Sequence, residues 1–345
     1  MVPCYNGDKK DFFLDFLYQK KDRMSLDLNA KNIKDLTAIL NKSQFSTNNY
    51  RWDASSIIGY GSFSKVYKGS DVTTKEPVAI KVLNNFHNID KFVYEAAIAA
   101  KMDHPNICQL LGINTVRRYI AFEYCENGTL SDVLYSKRLS GDGDRFEKLD
   151  MIKKHPIKYG YKTLEFGQQL SFSINICSAL VWLHSQRIFH QDIKPTNILV
   201  TKDSQCKLCD FGSAVCVFGS FSDINILDGR PLKLGNCGSL LYQAPEILNE
   251  ESIIEQSEVY ALIITLWEIF TQELVWRGYN DRDSYIDDVN DGVRPPLAKC
   301  KLYPNFDIDS RINPILERGW KHDPYDRPLF SELLKLLEGL ETSDT

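Results

Sequence analysis

Residues 189–199 read FHQDIKPTNIL. Pro195 has a fixed φ and no amide hydrogen, so this stretch cannot run on as a regular helix. It is a tight loop. Within it an acid, a base and an amide stand at fixed offsets: Asp192, then Lys194 two residues on, then Asn197 five residues on.

The chain around this loop has 345 residues, enough for a large core in two lobes. Charged residues are common and well mixed, which is a globular composition. A formal net charge of −5 argues against a nucleic-acid partner held mainly by electrostatics. The N-terminal MVPCYNGDKKDFFLDF lacks a basic start followed by a long apolar run, so no signal peptide is expected. The longest uncharged apolar stretch, VYALIITLW (259–267), falls well short of the ~20 residues of a membrane span and reads as a buried helix. The nine scattered cysteines then read as thiols in a reducing cytosol, which makes a cytoplasmic location the expectation.

Residues 1–50 look like a separate N-terminal extension. Phe12, Phe13, Phe16 and Leu17 share one helical face, and Ile33, Leu36, Ile39 and Leu40 suggest a second short helix. Asn, Ser and Thr cluster at 41–49 as a linker. The extension either packs on the main domain or docks a partner. From about residue 55 the signals are β: two runs around a glycine turn in IIGYGSFSKVYKG, and a third in EPVAIKVL. Phe92, Ala96, Ala99 and Met102 then have helical spacing, and short apolar runs follow at 107–113 and 118–124. Beyond residue 129 the pattern is mainly helical, with long helices expected at 164–186 and 259–272. Residues 136–163, polar and containing glycine, read as an inserted surface loop.

GYGSFSKV (59–66) leaves one strand and enters another. Glycine lets a backbone approach a polyphosphate with no Cβ in the way, although a plain hairpin turn explains the pattern equally well. A dinucleotide-binding loop would open a helix instead, and the segment that follows here is β-like. In VAIK (78–81), Lys81 sits among Val, Ala and Ile, where an unpaired ammonium is costly to bury. Either it snorkels from a sheet edge, or it clamps nucleotide phosphates with Glu95 as its carboxylate partner.

The opening loop has a chemical reading. Phosphoryl transfer demands an in-line nucleophile and neutralised charge on the phosphate oxygens. Asp192 can accept the proton of an attacking hydroxyl, Lys194 can stabilise the transferring group, and Asn197 offers a hard oxygen to Mg²⁺. A second metal ligand is at hand as Asp210 in CKLCDFGSA, with Gly212 expected to permit the turn that aims it. Taken in order, Gly59 and Gly61, VAIK ending at Lys81, Glu95, HQDIKPTN (190–197), DFG from Asp210 and APE (244–246) resemble the landmarks of a eukaryotic protein kinase over roughly residues 54–340.

That resemblance implies an α+β, bilobal protein-kinase fold. A small sheet-rich lobe with one main helix would span 54–124, and a larger, mainly helical lobe 125–340. ATP would meet Ile58, Gly59, Gly61, Ser62, Phe63, Ser64 and Val66 of the glycine loop, with Lys81 and Glu95 behind. Glu123 and Cys125 would supply the hinge, Phe122 the gatekeeper, and Ala79 and Leu199 the walls around the adenine. Asp192 and Lys194 would be catalytic, and Asn197 and Asp210 would hold Mg²⁺. Lys194 implies serine/threonine rather than tyrosine specificity. GSLLYQAPEIL and SEVYALIITLWEIF resemble the tyrosine-kinase-like branch, which includes Raf and mixed-lineage kinases. WLHSQRIFHQDIKPTNIL with LCDFGSA is most similar to Mos kinases. A Mos-like chain would be a MAP kinase kinase kinase acting on a MAP kinase kinase in germ-line meiosis.

The sequence departs from the family pattern in places. Ser64 replaces a third glycine. Gln191 replaces an Arg that normally pairs with a phosphate on the activation loop, so loop phosphorylation at Ser213, Ser220 or Ser222 is not expected to be an obligatory switch. Glu258 stands where an Asp usually holds the catalytic-loop backbone, and Ile263 where a small residue is common. Glu246 and Arg327 are expected to form an ion pair. Cys206 and Cys209 spell C-x-x-C, but with no second pair in reach a strand explains the spacing better than zinc does. His190 reads as a packing residue, and His184 and His104 have no evident partner. A nucleotide-binding pseudokinase scaffold is the competing reading. Such chains commonly lose Lys81, Asp192 or Asp210 equivalents, and all three are present here.

Overall fold

The structure is a computed structural model. It describes residues 49–61, 64–84, 89–135, 164–216, 238–251, 253–276, 279, 281–298 and 308–341. The helices expected within residues 1–40, most of the linker after them, the 136–163 insertion, Ser62, Phe63, Ser220 and Ser222 lie outside the described residues. The chain divides into two compact units. Residues 49–103 and 109–123 belong to the first, and the remaining described residues, 104–108 and 124 onward, to the second.

Among its described residues the first unit is an antiparallel five-stranded sheet with one helix. Its strands are β1 (Tyr50–Gly61), β2 (Ser64–Asp71), β3 (Pro77–Leu83), β4 (Leu110–Asn114) and β5 (Tyr119–Glu123), in the order β1-β2-β3-β5-β4. The helix α1 (Ile89–Ala99) follows β3. β1 begins five residues before the β-prone signal. Tyr50 is buried, and its hydroxyl donates to the Leu111 carbonyl at 3.1 Å. A register shift between Trp52 and Ile57 breaks the alternation that would have revealed the strand. Val78 and Ile80 on one face of β3 pack with Tyr50, Tyr119 and Ala121. On the other face Leu83 and Ile120 pack against Phe92, Val93 and Ala96 of α1. That alternation is what puts Lys81 on the helix side. Met102, expected within the helix, lies just beyond it but is buried.

The second unit is mainly helical. Its elements are α2 (Leu130–Tyr135), α3 (Phe166–Ser185), α4 (Pro245–Leu248), α5 (Glu255–Thr271), α6 (Arg282–Asn290), α7 (Ile308–Gly319) and α8 (Phe330–Glu341). Two small ladders, β6 (Ile188–Phe189) with β9 (Val215–Cys216) and β7 (Ile198–Val200) with β8 (Cys206–Leu208), carry the loops between α3 and α4. α5 is apolar nearly all round, and it is buried from Val259 to Phe270 apart from Ala261. Within that span the one acid, Glu268, accepts from the Tyr242 hydroxyl at 2.7 Å and from the Val275 amide at 2.9 Å. α7 comes so close that a Cβ on Gly319 would lie 2.2 Å from Cγ1 of Ile263. The unusually large Ile263 is thus accommodated by the absence of a side chain on the neighbouring helix.

Glu246 of α4 and Arg327 form a bidentate pair, Nη1 to Oε1 at 2.7 Å and Nη2 to Oε2 at 2.9 Å. The Arg327 side chain is fully buried. It also donates to the carbonyls of Lys321, His322 and Gln256, and stacks on the Tyr260 ring, so the guanidinium is saturated. Ser257 completes Glu246 from α5 at 2.7 Å. Removing one member leaves the other charge buried alone.

Two outcomes are expected. Arg327→Ala should destabilise the second unit by about 3–5 kcal/mol, measured by denaturant unfolding; an unchanged midpoint would contradict the pairing. Gly319→Ala should cost about 1–3 kcal/mol by overpacking against Ile263, read as a lowered melting temperature.

Candidate active site

In the first unit, Lys81 lies on β3, an interior strand between β2 and β5, so the sheet-edge reading of this lysine does not hold. Its Nζ donates to Glu95 Oε1 of α1 at 2.6 Å. The two side chains are 16% and 8% exposed, so the ammonium is desolvated on the condition that the carboxylate stays. Val66 stands directly across from Lys81, and Ala79, two residues along, lies on the same face. Gly59 faces Val66, and Gly61 faces Ser64. The buried Ser64 hydroxyl sits 2.8 Å from where a Cβ of Gly61 would be. A side chain at Gly61 would therefore require the Ser64 hydroxyl to turn away. Ile58 is about half exposed at 48%. Glu123 ends β5, with its carboxylate accepting from the Gln109 amide at 2.7 Å.

In the second unit, Cys125 is buried, and Leu199 is half-buried on β7 with a bridge to Thr129. The loop that leaves β6 turns at Gln191, whose φ is 64°. It ends in a 3₁₀ turn at Pro195–Asn197. Asp192 Oδ2 accepts from Lys194 Nζ at 2.6 Å and from Asn197 Nδ2 at 2.8 Å, and its Oδ1 accepts from the Ser239 amide at 2.9 Å. Lys194 also donates to the Ser239 hydroxyl at 2.5 Å. Acid, base and amide therefore converge, and Ser239 closes the ring from 47 residues away.

Asn197 also donates Nδ2 to the Asp192 carbonyl at 2.8 Å. With its nitrogen committed to Asp192, its carbonyl oxygen is the atom that can face a metal. The Asn197 backbone carbonyl accepts from Cys209 N at 2.9 Å, which brings Asp210 one residue from that amide. The two segments that carry Asn197 and Asp210 are thus paired through their backbones, and both side chains end in hard oxygens of the kind that Mg²⁺ takes. Asp210 adopts φ 62°, ψ 74°. The left-handed turn is therefore made by Asp210 itself. Gly212, expected to permit it, lies inside the 3₁₀ turn Phe211–Ser213 and is not among the positive-φ residues. Aspartate tolerates this conformation better than most residues.

His190 does more than pack. Fully buried, it accepts from the Asp192 amide through Nδ1 at 3.2 Å and donates from Nε2 to the Cys209 carbonyl at 2.9 Å. Its ring meets Phe211 edge-on at 5.2 Å. It couples the Asp192 loop to the Asp210 segment. His104 and His184 also find partners. His104 accepts from the Asn106 amide at 3.1 Å and lies 3.4 Å from the Ser178 hydroxyl. Nε2 of His184 donates to Glu258 Oε2 at 2.6 Å, and Oε1 of the same carboxylate accepts from the Gln191 amide. Glu258 on α5, one methylene longer than Asp, thus spans α3 and the strained Gln191 turn.

Gly238 was not singled out by the sequence, and no local pattern marks it. Its φ is +90°, and a Cβ there would lie 2.3 Å from the Gln191 carbonyl oxygen. It sets Ser239 against Asp192. Gly238→Ala should therefore push Ser239 off the loop while leaving the folded core intact. A loss of about 1–3 kcal/mol in holding Ser239 on Asp192 corresponds to a roughly 5–150-fold loss of turnover, with whatever strain stays in the folded chain read as a lowered unfolding midpoint; full turnover would show that the contact is dispensable.

A profile of the protein kinase domain matches residues 52–336. The serine/threonine-protein kinase mos of Gallus gallus is 28% identical over 304 residues, covering 84% of this chain and 82% of its own. The serine/threonine-protein kinase CTR1 of Arabidopsis thaliana is 29% identical over 297 residues, 82% of this chain and 31% of its own. The dual specificity protein kinase shkC of Dictyostelium discoideum is 30% identical over 293 residues, 82% of this chain and 50% of its own. The chain thus spans half or less of the length of the last two relatives. Its sheet-rich and helical units, its kinase-domain match and its mos and CTR1 relatives agree: the chain belongs to the eukaryotic protein kinase family, with serine/threonine kinases of the tyrosine-kinase-like kind among its kin.

Proposed function

We propose that this chain transfers the terminal phosphoryl group of ATP to a serine or threonine hydroxyl of a protein substrate. The observation that carries the reading is the hydrogen-bonded set of Asp192, Lys194, Asn197 and Ser239. Asp192 is held by three donors, so it is positioned before substrate arrives and needs no reorganisation to receive a hydroxyl proton. Lys194, on its flank, carries positive charge to where the transferring oxygens develop charge. Lys81, kept in place by Glu95, binds nucleotide phosphates. On this reading Ile58, Gly59, Gly61, Val66, Ala79 and Glu123 are the first unit's contacts to the nucleotide, and Cys125 and Leu199 are the second unit's. Asn197 and Asp210 hold Mg²⁺. When bound, the cation neutralises phosphate charge and orients the chain of oxygens. Of the three groups whose loss marks a scaffold, Lys81, Asp192 and Asp210, none is missing, and Asn197 is present as well, which supports an enzyme.

Within the family, a Mos-like role is the finer reading. The mos kinase aligns over more than four fifths of both chains, whereas the other relatives described carry much additional length. On this reading the protein substrate is a MAP kinase kinase, and the setting is the cytoplasm of a germ cell in meiosis. Among the described residues no helix is long and apolar enough to cross a membrane.

The test is a phosphate-transfer assay with Mg-ATP, using a MAP kinase kinase and a generic basic protein as acceptors. Wild type should label the MAP kinase kinase preferentially. Asp192→Asn should lower the rate about 10²–10⁴-fold without weakening nucleotide binding. Binding of ATP with transfer to neither acceptor would favour the scaffold.

A further inference from the structure

The C-x-x-C of β8 has no role in phosphoryl transfer. Its two cysteines cannot pair with each other along an extended strand. Cys206 and Leu208 share one face, and Cys209 points to the other. Cys206 is also fully buried, and burial pushes its thiol up, as it does that of Cys177. Cys209 is different in being half-buried.

Its neighbour comes from a distant stretch of chain. Ile107 forms a parallel bridge with Leu208. Two hydrogen bonds fix the register: Leu208 N donates to the Asn106 carbonyl at 2.8 Å, and Cys108 N to the Leu208 carbonyl at 2.9 Å. One step along, Cys108 stands beside Cys209. Ile107 and Leu208 share a face, so the next residue on each segment turns to the opposite face together. Adjacent strands lie ~4.8 Å apart, inside the ~4.4–6.8 Å Cα separation that a disulfide requires. Both residues are thiols, and Cys108 is buried at 3% exposure. The accessible sulfur is therefore Cys209, and the sheltered one that can resolve it is Cys108.

We propose that Cys108 and Cys209 form a peroxide-sensitive dithiol that closes to a disulfide and thereby displaces Asp210. The Cys209 sulfur attacks one oxygen of hydrogen peroxide, the O–O bond breaks, and water leaves, giving a sulfenic acid. The Cys108 sulfur then attacks that sulfur, the S–O bond breaks, and the hydroxyl leaves as water with the Cys108 proton. Two thiols lose two electrons in all, and one peroxide becomes two waters. The bond draws Cys209 toward Cys108. Cys209 is held by its amide to Asn197 and by its carbonyl to His190, so the strain reaches the left-handed Asp210 next to it. Only this consequence for activity rests on the proposed phosphoryl transfer.

The test treats the full chain with hydrogen peroxide, alkylates the remaining thiols and maps peptides without reduction. A Cys108 peptide joined to a Cys209 peptide, at their combined mass less two hydrogens, should appear before any product at Cys125, Cys177 or Cys206. Dithiothreitol should abolish it. In Cys108→Ser the same dose should carry Cys209 on to sulfinic acid, which dithiothreitol does not reverse. Sulfinic acid at Cys209 of the wild type with Cys108 still alkylated, or a Cys206–Cys209 bond, would overturn the proposal. These readouts are masses and stand whether or not the chain transfers phosphate. In the transfer assay the oxidised wild type should lose activity and regain it on reduction. A disulfide that leaves the rate intact would refute the displacement of Asp210.

Discussion

A carboxylate drawn partly out of water must be met by donors, and around Asp192 the second unit is arranged to meet it. Lys194 and Asn197 come from the same loop, and Ser239 from far along the chain. Each donor is fixed in turn. Lys194 is shared with the Ser239 hydroxyl, Asn197 is bound to the Asp192 carbonyl, and Gly238, packed on the Gln191 carbonyl, sets Ser239 against Asp192. Because low dielectric strengthens each of these bonds and penalises any that is missing, the group behaves as one object.

That object rests on α5. The helix carries few polar side chains, and three of its acids act at a distance from one another. Glu258 holds the Gln191 turn and His184, Glu268 holds Tyr242 and the turn at Val275, and Glu255 accepts from the Phe330 amide. A helix buried nearly all round is a rigid post, so what hangs from its acids is set by the core and not by solvent. His190 then passes that rigidity forward, from the Asp192 amide to the Cys209 carbonyl.

Much of this was legible from residue type and spacing. An ammonium inside a β-branched run calls for a carboxylate, so Lys81 and Glu95 could be matched although they lie on different elements. Asp192, Lys194 and Asn197 are neighbours in sequence, and Pro195 forces them into a loop. The strands and the two long helices followed from periodicity. What escaped depends on contacts between remote segments. Nothing near His184 hints at a glutamate 74 residues away. Gly238 looks like any loop glycine until the Gln191 carbonyl is seen against it. The turn at Asp210 was assigned to Gly212 because glycine is the usual occupant of left-handed backbone, and here an aspartate takes that conformation. Tyr50 was passed over because the strand it begins is irregular.

Ile263 and Gly319 share a single allotment of space between α5 and α7. Neither can be judged alone: a bulky residue at one site presupposes an empty site at the other. In the lineage of this chain the two positions are therefore expected to have drifted as a couple. A relative with a smaller residue at the first would be free to carry a methyl group or more at the second, so the size at one position foretells the size at its counterpart.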